Sequence, residues 1–200
     1  MRTMRQLIAA LLSALAAPAL AQSEPVGPRI AAASVEQTTR PGVYDPAYVR
    51  IPYPMGDVPV DRGVCTDVVI RALRAVGIDL QERVHQDMKA NFNAYPKHWG
   101  LTRPDRNIDH RRVPNLETYF RRAGWRLPAS ANAGDYQAGD IVTWNLKGDK
   151  GWLPHIGVVT DRRARSGRPL VAHNIGAGPK LEDVLFDWKI TGRFRPQADQ

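Results

Sequence analysis

The chain contains one cysteine, Cys65, set in Asp61-Arg62-Gly63-Val64-Cys65-Thr66-Asp67. Apolar residues then recur at helical spacing through Val68, Val69, Ala72, Leu73 and Val76, with Arg71 and Arg74 late in the run and Gly77 as a stop. A cysteine at the opening of a helix meets unpaired backbone N–H groups and the positive end of the helix dipole. Both favour a thiolate, so the position predicts a lowered thiol pKa and a nucleophile. The same N–H groups could hold an oxyanion during attack on a carbonyl. The structural alternative is a small apolar core residue.

A thiolate nucleophile needs a base that exchanges a proton near neutral pH, and histidine has the right intrinsic pKa. Of the five histidines, His85 lies in a polar helical stretch, His98 in a loop beside Trp99, and His110 between Asp109 and Arg111. These three read as surface or structural residues. His155 opens Ile156-Gly157-Val158-Val159, the pattern of a buried strand, which places a polar side chain at the strand's mouth. His173 or Asn174, near the end of the next strand, could orient its ring. Neighbouring strand residues face opposite ways, so a regular strand offers only one of the two. Asp105, Asp109 and His110 show no recognised metal-ligand spacing, and neither a metal nor a cofactor is expected.

The elements that must position these residues fall into two halves. Helical patterns cover residues 64–76, 81–92 and a stretch from Pro114 to Gly124, separated by a loop over residues 95–109. Residues 44–59 carry four prolines and read as an ordered loop. β-rich runs follow at Asp140–Leu146, His155–Asp161, Pro169–Asn174 and near Ile190–Arg195. Helices first and strands afterwards predict an α+β domain with a mostly antiparallel sheet.

Arg2 and Arg5, the apolar run from Leu7 to Leu20 and the Ala19-Leu20-Ala21 pattern read as a secretory signal peptide over residues 1–21, cleaved after Ala21. The run is shorter than the roughly 20 residues that span a bilayer, so no stable membrane insertion is expected. Residues 22–42, rich in Pro, Ala, Ser, Gln and Thr, read as a flexible leader, and residues 43–200 as one domain. The product is expected to be soluble and periplasmic or secreted. Its formal charge of +8, less Arg2 and Arg5, suits anionic wall polymers. No aromatic-basic binding module points to nucleic acid, and no feature signals an oligomeric state.

The cysteine at a helix start, Gly139-Asp140-Ile141-Val142-Thr143-Trp144, His155-Ile156-Gly157-Val158-Val159 and a polar residue on the next strand together resemble the NlpC/p60 branch of papain-like cysteine peptidases. More narrowly, GVCTDVV, NIDHRRVPNL, GDIV and VAHNIG resemble a secreted bacterial family known as domain of unknown function 1287, over most of residues 44–195. The broader resemblance implies a papain-like fold with Cys65 as nucleophile, His155 as base, His173 as orienting residue and Tyr53 at the oxyanion. Here Val64-Cys65-Thr66-Asp67 replaces the usual Asp-Cys-Ser/Thr-Gly, and a segment around residues 80–130 widens the cysteine-to-histidine separation. That segment could wall the cleft or serve only as structure. The reading is a cysteine hydrolase cleaving an amide, most plausibly in the stem peptides of peptidoglycan. The alternatives are a papain-like acyltransferase and a non-catalytic domain that binds cell-wall peptide.

Overall fold

The structure, a computed structural model, describes residues 25–197. The signal peptide read over residues 1–21 lies outside them. The expected flexible leader is corrected within them, because helix α1 (Val26–Gln37) occupies most of it. Pro28 falls in its first turn, where a missing N–H costs nothing. Its buried face is Ile30, Ala31 and Ser34, a stripe of mostly small residues whose periodicity is faint in the sequence. Packing against the next helix and the central sheet holds it in place. The Gln37 amide donates to the Val68 carbonyl at 3.0 Å, and the Ser34 hydroxyl donates to the Ala31 carbonyl at 2.7 Å.

Strand β1 (Val43–Tyr44) pairs in parallel with β2 (Arg62–Gly63), Tyr44 opposite Gly63, so the proline-rich loop between them closes on itself. Helix α2 (Cys65–Arg74) follows, with all but Arg71 and Arg74 buried. Helix α3 (Leu80–Ala90) is capped by Asp79, whose carboxylate accepts the Gln81 N–H at 3.0 Å. Residues 92–111 contain only short 3-10 turns, and α4 (Val113–Arg122) starts with Pro114 in its first turn. The four helices of the described residues lead into a six-stranded sheet of β3 (Arg126–Leu127), β4 (Ile141–Asn145), β5 (Pro154–Arg163), β6 (Pro169–Asn174), β7 (Pro179–Glu182) and β8 (Lys189–Phe194). Its order is β3-β8-β4-β5-β6-β7, and every neighbouring pair is antiparallel. The expected α+β class holds.

Alternation along the strands builds two cores. Ile141, Ile156, Val158 and Phe194 pack with Val69, Leu73, Leu116 and Phe120 of the helices, in a cluster that includes Cys65. Val142, Trp144, Val159 and Val171 pack on the other face with Tyr136 and Leu185. No helix among the described residues is long and apolar enough to cross a membrane.

Because Ile30 is fully buried in the helix-side core, Ile30→Ala should destabilise the domain by about 2–5 kcal/mol, read from the urea midpoint at constant slope. A variant as stable as wild type would return residues 26–37 to the role of a leader.

Candidate active site

Cys65 is the first residue of α2, and its backbone approach is set by Asp67. The Asp67 carboxylate accepts the Val64 N–H at 2.6 Å, which closes the first turn. Gly63 permits this, since a Cβ there would stand 2.8 Å from the same carboxylate oxygen. Asp67 is itself buried and receives both arms of the Arg111 guanidinium, each at 2.9 Å, while the Thr66 hydroxyl donates to the Arg111 carbonyl at 3.1 Å. From the other side, the Asn174 amide donates to the Gly63 carbonyl at 3.1 Å.

The thiol is buried, and its pKa is pushed up to about 12. Loss of hydration is the main cause and the Asp67 charge adds to it, against opposing hydrogen bonds from the backbone at Ile156, Thr66 and Cys65. This corrects the expected lowered pKa. The helix terminus acts in the anticipated direction, but burial outweighs it.

His155 is buried at the start of β5, and the residues on both sides of it reach the cysteine. The Ile156 backbone hydrogen-bonds the thiol, and Pro154 lines the same cavity as Cys65. Among the described residues no side-chain hydrogen bond joins the thiol to the imidazole. His155 Nε2 lies 2.9 Å from His173 Nδ1, and His173 Nε2 lies 2.9 Å from the Glu182 carboxylate. The chain of contacts fixes the tautomers of the neutral rings. The carboxylate accepts from His173 Nε2, so His173 Nδ1 accepts from His155 Nε2, and His155 Nδ1 is left with its lone pair. Burial first, and then the neighbouring His173, pushes the His155 pKa down to about 3. Burial also lowers His173, opposed by Glu182. Trp144 and Trp188 wall the pair, with ring centroids 5.8 and 5.9 Å from His155.

Gly157 explains how β6 comes so close. A Cβ there would meet Val171 Cγ1 at 2.7 Å and His173 Cβ at 3.1 Å, so any larger residue would push His173 away. Of the two alternatives for the orienting residue, His173 meets His155, while Asn174 faces the helices and holds the backbone before Cys65.

Tyr53 is corrected. It packs against His85 at 5.4 Å and under the Arg106 guanidinium at 5.1 Å, in the loop before the helix. The tyrosine beside the cysteine is Tyr44, which lines the cavity with Cys65. Its pKa is raised to about 12, first by burial and then by Cys65. Tyr44 had no signal in the sequence, since only the β1–β2 pairing brings it there. Glu182 was missed too, because β7 is short and irregular in pattern, and only its pairing with β6 carries the carboxylate to His173. Asp109, expected in the wall segment, accepts the Asp105 N–H and pairs with Arg112 at 3.2 Å. His110 is buried beside it, and His98 packs on Trp99 and Trp152. His85 is half-buried against Tyr53.

The cavity at Cys65 holds about 200 Å³ and is bounded by Tyr44, Trp99, Arg111, Arg112 and Pro154, among others. The inserted segment therefore supplies one whole side of it.

The described residues thus form an α+β domain with a cysteine at a helix start and a His–His–Glu chain on the adjoining strands. A family model described as domain of unknown function (DUF1287) matches residues 30–196, and the chain belongs to that family. It is similar to "Uncharacterized protein YijF" of Escherichia coli (strain K12), 63% identical over 152 residues that cover 76% of this chain and 73% of the relative. Among solved structures it is similar to NlpC1 from Trichomonas vaginalis, with 15% identity over 90% of this chain and a TM-score of 0.48. It is also similar to NlpC2 from the same organism, with 13% identity over 89% and a TM-score of 0.49. The chain spans about half the length of each, 47% and 49%.

With the thiol raised by burial, alkylation of Cys65 in the folded protein should be far slower at pH 8 than that of a free cysteine of pKa about 8.5. Its rate should still be climbing at the alkaline end of the stable range. A rate that levels off below pH 7 would show a thiolate already present at rest.

Proposed function

We propose that this protein is an exported cysteine hydrolase that cleaves an amide in cell-wall peptide. The observation that carries the reading is Cys65 at the head of α2, on the wall of a cavity that Pro154 also lines, with the Glu182–His173–His155 chain beginning at the next residue of β5 and leaving the His155 Nδ1 lone pair unpaired within it. In the reaction the Cys65 sulfur attacks the amide carbonyl as its proton passes to His155 Nδ1. The carbonyl oxygen becomes an oxyanion held by the N–H groups around Cys65, with the Tyr44 hydroxyl at the same wall. His155 then gives its proton to the leaving amine, the C–N bond breaks, and a thioester remains. Water, deprotonated by His155, opens the thioester to a carboxylic acid and restores the thiol. His173 and Glu182 act as positioning residues.

Export, the basic charge and the Arg112 guanidinium at the cavity support an anionic peptide of the wall as substrate. The burial of Cys65 supports a second reading, a non-catalytic domain that holds such a peptide in the same cavity.

Digestion of purified sacculi should release new amine termini with wild type and none with Cys65→Ala. His173→Ala should lower kcat by about 10²-fold or more. The His155 pKa is moved down and the thiol pKa up, so kcat/KM should run as a broad plateau across neutral pH rather than a narrow bell. Sacculi left intact at high enzyme concentration would sink this substrate class. Full cellular function of Cys65→Ala would favour the binding domain.

A further inference from the structure

Two of the most exposed large hydrophobic residues stand together at the rim of the Cys65 cavity. Trp99 is 55% exposed and Trp152 is 50% exposed, with ring centroids 6.4 Å apart and planes inclined by 44°. They come from separate segments, the inserted loop and the β4–β5 connection, so their meeting is a product of the fold. His98 packs between them, 5.4 Å from Trp99 and 4.9 Å from Trp152. The Arg112 guanidinium lies 4.5 Å over Trp99. Trp99 also adopts a left-handed backbone conformation, φ 63 and ψ 24, which a bulky residue enters at a cost of about 1–3 kcal/mol. The strain holds an indole out in solvent and burial does not offset it, the arrangement expected of a ligand contact rather than a core residue.

From this geometry we infer that Trp99 and Trp152 form a platform for a pyranose ring, and that the substrate is a peptide carried on a sugar. A pyranose presents a flat face of C–H bonds that packs on an indole, with hydroxyl groups around its edge that need polar partners. The platform offers both, since His98 and Arg112 border the indoles and Lys97, Arg103 and Lys150 lie close in sequence. A lipid chain or an apolar protein face would find too little uninterrupted apolar area here. Trp99 lines the cavity that contains Cys65, and Trp152 is two residues from Pro154, which lines it as well. The sugar and the amide must therefore belong to one molecule. This deepens the hydrolase reading and rests on it for the amide, while the platform rests on its own geometry.

The test is a binding titration of Cys65→Ala protein, followed by calorimetry and tryptophan fluorescence. Three probes are compared: an amino-sugar disaccharide bearing a wall stem peptide, the same peptide without sugar, and the disaccharide alone. The disaccharide-peptide should bind about tenfold more tightly than the bare peptide. Adding Trp152→Ala, which lies outside the cavity lining, should erase most of that factor and leave the affinity for the bare peptide unchanged, with circular dichroism confirming the fold. Equal affinity for sugar-bearing and bare peptide, or a parallel loss of both in the variant, overturns the proposal. So does binding to anionic phospholipid vesicles that depends on Trp152. Sugar-dependent binding without any cleavage of sacculi by wild type would remove the hydrolase and keep the platform. Cleavage with no preference for sugar would do the reverse.

Discussion

The buried Asp67 carboxylate holds the site together. It sits two residues after the cysteine, ties the first turn of α2 through the Val64 N–H, and takes the Arg111 fork from the inserted segment. An ion pair this deep gains little net stability over an apolar pair of the same shape, but the loss of either partner strands a charge without water. Its consequence is positional. The segment between α3 and α4 cannot swing away from the cysteine without exposing that charge to an apolar interior, so the wall it forms is as fixed as the helix. Arg112, Val113 and Pro114 follow directly in sequence and line the cavity for that reason.

The second constraint is the narrow gap between β5 and β6. Gly157 lets His173 approach His155 closely enough for a 2.9 Å contact, and the two tryptophans close water out around them. A carboxylate at the far end then sets the direction of every proton in the chain. Glu182 is partly exposed while His173 is fully buried, so the anion keeps its hydration and passes only its orienting effect inward.

Much of this was legible in the sequence, in those places where a local pattern determines the outcome. The α2 helix with Cys65 at its start, the β4 to β6 strands and the meeting of His155 with a polar residue of the next strand follow from periodicity and position. The misses share one cause, which is dependence on distant pairing. Helix α1 buries mostly small residues and is held by its neighbours; Tyr44 reaches the cysteine only because β1 pairs with β2. Tyr53 has the more suggestive spacing, but the loop turns it toward α3 and His85. The thiol pKa was misjudged because a helix terminus is visible in a sequence and the degree of burial is not.

The same burial that raises the Cys65 thiol lowers the His155 imidazole, so a single cause moves the two groups in opposite directions and keeps the proton on sulfur. A resting thiolate–imidazolium pair is therefore disfavoured. What the site retains for negative charge is the set of N–H groups at the head of α2 and at Ile156. In the proposed reaction those donors face the charge that develops on the substrate oxygen, which exists only along the reaction path. A pocket dry enough to suppress the thiolate strengthens those hydrogen bonds as well, because low polarity raises the value of any donor aimed at an anion. On this view the neutral resting pair follows from a site arranged around the oxyanion, and proton transfer accompanies attack instead of preceding it.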